Sequence, residues 1–210
     1  MKQTKKAHIA VLVSGGGTNL QALINAQKKG ILTSGRICLV ISNNASAYAL
    51  KRAENAGIPT AVITRRDLGS QEAMEEKILK TLKEHRIDLI ILAGFMSILS
   101  EHFTKAYDHR IINVHPSLIP SFCGEGFYGL KVHEAALAKG VKVTGATVHF
   151  VNEIPDGGEI ILQKAVYIRE DDTPETLQKR VMRLAEWQIL PAAAEKVSKE
   201  LISGDCSRDR

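Results

Sequence analysis

The sequence predicts a doubly wound α/β fold: a mostly parallel, Rossmann-like sheet with an antiparallel extension at its C-terminal side. Three observations carry this. Five short runs (HIAVLV, RICLVIS, TAVIT, DLIILA and RIINV) are apolar on both faces, as strands of a parallel sheet covered by helices must be. Amphipathic segments of helical period separate most of them, and strand–helix alternation of this kind builds right-handed crossovers. After about residue 140 the pattern changes: GATVHFV alternates and EIILQKAVYI follows a short turn, the signature of antiparallel pairing.

Each element has a local reason. TNLQALINAQKKG ends in lysines and Gly30, a dipole-complementing C-terminus with a stop residue, and SAYALKRAENAG ends likewise at Gly57. In SQEAMEEKILKTLKEH, Ser70 is placed to cap, and Met74, Ile78 and Leu82 share one face. DDTPETL reads as a helix start, with Thr173 as N-cap, Pro174 at the first helical position and acids in the first turn. A final helix is expected to run to about Ser203, kinked or broken near Pro191, before a loose tail GDCSRDR. No repeat or linker interrupts the chain. One domain over 1–210 is expected, with a phosphate-binding half at about 1–100 and a catalytic half at about 90–203.

Composition narrows the function classes. No apolar run approaches the roughly 18 residues a membrane span needs. The start MKQTKKAHIAVLVSGGG imitates a signal peptide, but its short apolar run leads into glycines and reads as a first strand, so a cytoplasmic location is expected. Cys38, Cys123 and Cys206 are widely spaced and form no metal-ligand pattern, and no metal is expected. The net charge of +5 is scattered, without an arginine-rich block, which favours small anionic substrates over nucleic acid. Nothing in the sequence sets the oligomeric state.

Four loops carry the candidate chemistry. SGGGTNLQ (Ser14 to Gln21) joins the first strand to the first helix, where free N–H groups and the helix dipole suit a phosphate. It departs from the dinucleotide fingerprint at Leu20 and has no Walker lysine, and a plain tight turn is its alternative reading. AGFMSIL (Ala93 to Leu99) follows another strand; locally it reads as an apolar helix start packing on the core. Asn113 and His115 end the RIINV strand and, two residues apart, project to one side. An amide and an imidazole side by side can hold an oxyanion and move a proton, or the histidine can simply satisfy a carbonyl. Asp156 precedes Gly157 and Gly158, where a plain hairpin turn is the simpler reading, and His149 reads as a structural mid-strand residue.

Taken together, SGGGTNLQ, SNNASAYALKRAENAGIPT, LAGFMSIL, INVHPSLIPSF, GATVHFVNEIPDGGEIILQ and LAEWQILPA resemble the phosphoribosylglycinamide formyltransferase family of the folate-dependent formyltransferases, over roughly residues 7 to 203. The resemblance implies formyl transfer from 10-formyltetrahydrofolate to the glycinamide amine in purine biosynthesis, with these small molecules as its partners. It implies catalytic roles for Asn113, His115 and Asp156, with the aspartate raising the pKa of the histidine. It places the ribonucleotide phosphate at Gly17, Thr18 and Asn19, the ribose at Glu186, and Arg183 facing the same substrate. It places the folate along Met96, Ser97, Ile98 and Leu99, against Asn113, with Gln71 where some members carry a basic residue. The loop SFCGEGFYGLKVHEA is longer than in shorter members. A formyltetrahydrofolate hydrolase or a tRNA formyltransferase would use the same triad, but each typically carries an additional domain, for which the chain is expected to have no room. A non-catalytic nucleotide-binding module is the third reading.

Overall fold

The computed structural model describes residues 5–204; Cys206 and the tail expected to be loose beyond Gly204 lie outside them. Seven strands form one sheet in the order β3-β2-β1-β4-β5-β6-β7. The strands β1 (Ala7–Val13), β2 (Gly35–Ser42), β3 (Thr60–Val62), β4 (Leu89–Leu92) and β5 (Ile111–His115) pair in parallel. They coincide with the five apolar runs. β6 (Val143–Phe150) and β7 (Ile160–Tyr167) add the antiparallel extension.

The period of two divides the core between both faces of the sheet. Ile9, Val11 and Val13 pack with α1 (Thr18–Lys28), α2 (Tyr48–Asn55) and α8 (Trp187–Ser203), while Ala10 and Leu12 pack with α4 (Gln71–Glu84) and α5 (Glu101–Ala106). Caps follow from sequence. The hydroxyl of Ser70 accepts from Ala73 N–H, and Thr173 forms a reciprocal capping box with Thr176 at the start of α7 (Pro174–Val181). The short α3 (Arg65–Leu68) and α6 (Leu130–Lys139) complete the helices. AGFMSIL does not begin a helix: it stays irregular, and α5 starts only at Glu101, capped by Ser100.

The break expected near Pro191 lies elsewhere. α8 runs through Pro191 without interruption, and the chain instead widens into a π turn at Met182–Glu186, between α7 and α8. Pro191 removes one ladder hydrogen bond, and the helix is held by its buried face of Ile189, Leu190, Ala193, Ala194 and Val197. The π turn re-aims the side chains on either side of it, which matters for the site.

β1 and β4 are neighbours although α1, β2, α2, β3, α3 and α4 intervene, so the connections leave in opposite directions between them. This is the switch point where open α/β sheets bind ligands. The loops after β1 and β4 are tied together there: Ser14 N–H donates to the Gly94 carbonyl at 3.1 Å, and Met96 N–H donates to Ser14 Oγ at 2.9 Å. Gly17 caps α1 with φ 71°, and a Cβ there would lie 2.6 Å from the Ala49 Cβ. Gly17→Ala should therefore destabilise the fold by about 2–4 kcal/mol through strain and overpacking, measured by denaturant unfolding.

Candidate active site

β5 delivers Asn113 and His115 to the carboxyl edge of the sheet. Their antiparallel neighbour β6 sets Asn113 directly opposite His149. The β6–β7 connection then folds back so that Asp156, at φ 56°, turns its carboxylate inward. Asp156 itself takes the left-handed conformation expected of a hairpin glycine. Gly158 is required for a different reason: a Cβ there would sit 1.9 Å from the Phe150 carbonyl oxygen. The turn is shaped to present a carboxylate, and the plain hairpin reading gives way.

Four polar side chains meet as a result. His115 Nδ1 lies 3.3 Å from Asp156 Oδ2, and His149 Nε2 lies 3.4 Å from Asp156 Oδ1. The Asn113 amide nitrogen is 3.3 Å from His149 Nε2. The outer nitrogen of each ring is committed to a carbonyl: His115 Nε2 to Phe122 O at 2.8 Å, and His149 Nδ1 to Phe150 O at 2.7 Å. A carbonyl can only accept, so both outer nitrogens carry hydrogen. If both rings are neutral, two bare nitrogens face one carboxylate, whose Oδ2 also accepts Gly124 N–H at 2.8 Å. One added proton turns a lone-pair contact into a hydrogen bond.

The electrostatics correct one expectation. Burial pushes the His115 imidazole below its ordinary value, and this outweighs the upward pull of Asp156 and of the Phe122 carbonyl. Asp156 does favour imidazolium, as expected, but the net direction for His115 is down, and the resting imidazole is neutral at pH 7. Burial also opposes ionisation of Asp156, but the flanking imidazoles and the Gly124 N–H win and hold it below the usual carboxylate range.

The loop after β1 and the π turn meet on the other side. Asn19 Nδ2 donates to Glu186 Oε2 at 2.7 Å, and Thr18 Oγ1 contacts Met182 Sδ at 3.6 Å. Glu186 is 6% exposed, and burial pushes its carboxyl up to about 7. Asn19 Oδ1 is buried with no partner among the described residues. Arg183, on the same π turn, is exposed. Gly15 and Gly16 face open space, whereas Gly17 is pinned against α2.

The segment expected to line a ring-binding wall divides. Met96 and Ile98 are 59% and 61% exposed, but Leu99 is buried in the core beside Phe103 and does not reach that surface. Ser97 Oγ accepts from Asn43 Nδ2 at 3.0 Å. The Gln71 amide is spent on the Ile98 carbonyl and Glu75 Oε1, so it braces this segment. Two exposed apolar side chains on a hydrogen-bonded loop fit a flat heteroaromatic ring.

Sequence reasoning passed over His149 as structural and did not mark His133. The signal for His149 was the register of an antiparallel pair, which period-two reading of one strand does not supply. His133, on α6, is fully buried, and neither ring nitrogen has a partner among the described residues. Burial and the nearby His115 push it down to about 4. The unfolded chain, with an ordinary value of 6.5, binds this proton more tightly. Stability is therefore lost as pH falls from about 6.5 towards 4, by up to about 3 kcal/mol. His133→Leu should remove this acid-side slope in urea unfolding followed against pH. Cys123 is no nucleophile: burial raises its thiol, which donates to the Pro120 carbonyl. Among the described residues no group of three or more His, Cys, Asp or Glu could hold a metal ion, and no helix is long and apolar enough to cross a membrane.

A buried Asn/His/Asp cluster beside a phosphate-type loop, on this sheet, defines the class: the chain belongs to the formyl transferase family, whose pattern matches residues 7–194. Within it, the chain is 44% identical over 183 residues to phosphoribosylglycinamide formyltransferase of Haemophilus influenzae, covering 87% of this chain and 83% of that one. It is 47% identical over 196 residues to the trifunctional purine biosynthetic protein adenosine-3 of Gallus gallus. That match covers 93% of this chain but 19% of the relative, so the chain spans about a fifth of the length of such trifunctional proteins. The solved structure of glycinamide ribonucleotide transformylase 1 from Symbiobacterium toebii superposes with a TM-score of 0.87 at 39% identity, covering 94% of this chain and 90% of that one.

Proposed function

We propose that the protein transfers the formyl group of 10-formyltetrahydrofolate to the amine of phosphoribosylglycinamide, in the cytoplasm. The observation that carries this is the meeting of His115 and His149 on Asp156 at the sheet edge, with Asn113 against His149. The ribonucleotide phosphate sits at Gly17, Thr18 and Asn19, on the α1 N-terminus, with Arg183 supplying positive charge. The acceptors Glu186 and Asn19 Oδ1 take the sugar hydroxyls. The folate ring lies against Met96 and Ile98, held in place by Ser97 and Gln71 from behind.

Attack of the amine on the formyl carbon creates a tetrahedral oxyanion. The Asn113 amide and the His115 Nε2–H, released from Phe122 O, are donors for it. Neutral His115 still donates from Nε2, so the low pKa of the ring does not impair this role. The amine must lose a proton and the folate nitrogen must gain one. The Asp156–His115–His149 cluster takes it from the first and returns it to the second.

The test is an assay of purified protein with both substrates. Formylated ribonucleotide is the expected product. Formate release without the acceptor points instead to a hydrolase, and no turnover at all ends the proposal. His149→Gln, which is close to histidine in size but cannot relay a proton, should lower kcat by about tenfold or more with KM little changed. An unchanged kcat would leave His149 a purely structural residue.

A further inference from the structure

We propose that the cleft between α1, α8 and Arg52 of α2 is a second binding site, for a nucleoside monophosphate. It lies outside the candidate active site, touching it only at Thr18, and the inference does not rest on the transfer reaction. The cleft encloses about 460 Å³, within the range of small-molecule sites. It follows α1 from Thr18 to Lys29, about 16 Å of helix at 1.5 Å per residue, long enough for a base, a sugar and a phosphate.

Its lining has the chemistry of such a ligand. Ala22, Ala26 and Pro191 make a smooth apolar floor. Trp187 and Ile31 stand beside it, 36% and 54% exposed, an indole face and an aliphatic edge left to solvent. Large apolar side chains in that position suit a flat aromatic ring. Amides of Gln21, Asn25 and Gln188 ring the apolar part; Gln21 donates to Asn25 Oδ1 and Gln188 is bonded to Lys164 and the Arg183 carbonyl, so the Asn25 Nδ2 donor is the one left to pair with a base edge. Both charged side chains of the lining are cations, Arg52 and Lys29. Neither is ion-paired with a carboxylate among the described residues.

Arg52 is also set in place before any ligand arrives. Its Nε donates to the Gly16 carbonyl at 2.8 Å, one Nη donates to Gln21 Oε1 at 3.2 Å, and the guanidinium lies over the Tyr48 ring at 5.0 Å. The fork retains further N–H groups for a phosphate. The carboxylate one turn beyond Pro191, Glu195, is held by Thr33 and Ser34 and forms no ion pair with Arg52 or Lys29 among the described residues.

Trp187 is the only tryptophan in the chain, so intrinsic fluorescence reports on this cleft directly. Titration with AMP should change Trp187 emission saturably, whereas adenosine or inorganic phosphate alone at the same concentration should do so far more weakly. Ala22→Phe, which fills the floor, and Arg52→Met, which removes a charge-assisted contact, should each weaken AMP binding about tenfold or more. Lys29→Met should weaken it by a smaller factor. Glu186→Ala, which removes the active-site carboxylate next to Trp187 but no residue lining the cleft, should leave the AMP response in place. No saturable response up to about 10 mM would overturn the proposal. So would an equal response to adenosine, or a response lost in Glu186→Ala and retained in Ala22→Phe. A failed formyl-transfer assay would leave this result standing, since the two sites are read separately.

Discussion

Asp156→Asn lowers kcat by about 10²–10⁴-fold, the span expected when a proton-handling group is removed from a buried site. The substitution keeps size and can still accept the Gly124 N–H now made to Oδ2. What it removes is negative charge between two imidazoles 3.3 and 3.4 Å away. Without it, a proton arriving at His115 meets only the burial that already depresses that ring. In the proposed reaction the cluster then cannot accept the amine proton, while Asn113 can still donate to the oxyanion. The effect should therefore appear in kcat with a small change in KM, and the thermal melt should shift little. Steady-state kinetics beside a melt checks both. His115→Ala should lose at least as much, because it also removes an oxyanion donor, typically worth about 10²–10³-fold alone. Undiminished turnover in Asp156→Asn would refute the role given to the cluster.

Glu186→Gln is expected to make the unliganded protein more stable and the enzyme worse. The wild-type carboxyl titrates at about 7 in the fold against an ordinary 4.5, because it is buried with one hydrogen-bond donor, Asn19. A raised carboxyl pKa means the folded state holds the proton more tightly than the unfolded chain. Below about pH 4.5 both states are protonated and nothing is lost. As pH rises through the interval to 7, stability falls, and above 7 the full cost of about 3 kcal/mol is present. Glutamine has no charge to bury. The advantage of Glu186→Gln should open between pH 4.5 and 7 and then hold level, and urea unfolding across that range measures it. Under the proposed function, ribonucleotide affinity should drop because one of the proposed sugar acceptors becomes an amide. His133 titrates with the opposite sign over much of the same interval, so the wild-type pH profile is flatter than that of either single variant. A Glu186→Gln protein no more stable at pH 8 than the wild type would show that the carboxyl is solvated.

Much of this architecture could be read along the chain because it is local. A strand covered on both faces must be apolar along its covered length, and β1 is from Ile9 to Val13, β2 from Ile37 to Ile41, and β4 throughout. Caps act within a few residues, so Ser70 and Thr173 could be placed from their neighbours. A helix that departs from its ladder is harder to place. Pro191 carries the obvious breaking signal, yet burial of its neighbours holds α8 together, and the irregularity falls at Met182–Glu186, where no proline or glycine marks it. Leu99 shows the same difficulty: its segment was legible as a loop at the sheet edge, but only packing against Phe103 directs this side chain into the core.

By itself the sequence determined the five parallel strands, the capped helix starts at Ser70 and Thr173 and the family resemblance, and it put forward Asn113, His115 and Asp156 as candidates, since each rests on nearby residues or on motif order. Tertiary structure decided what those residues do to one another. The antiparallel register put His149 against Asn113, the inward turn set Asp156 between two imidazoles, and the π turn sealed Glu186 against Asn19. Protonation depends on burial and on charges a few ångströms away, and both are set by residues dozens of positions apart, so no reading along the chain could have assigned the low His115 or the high Glu186.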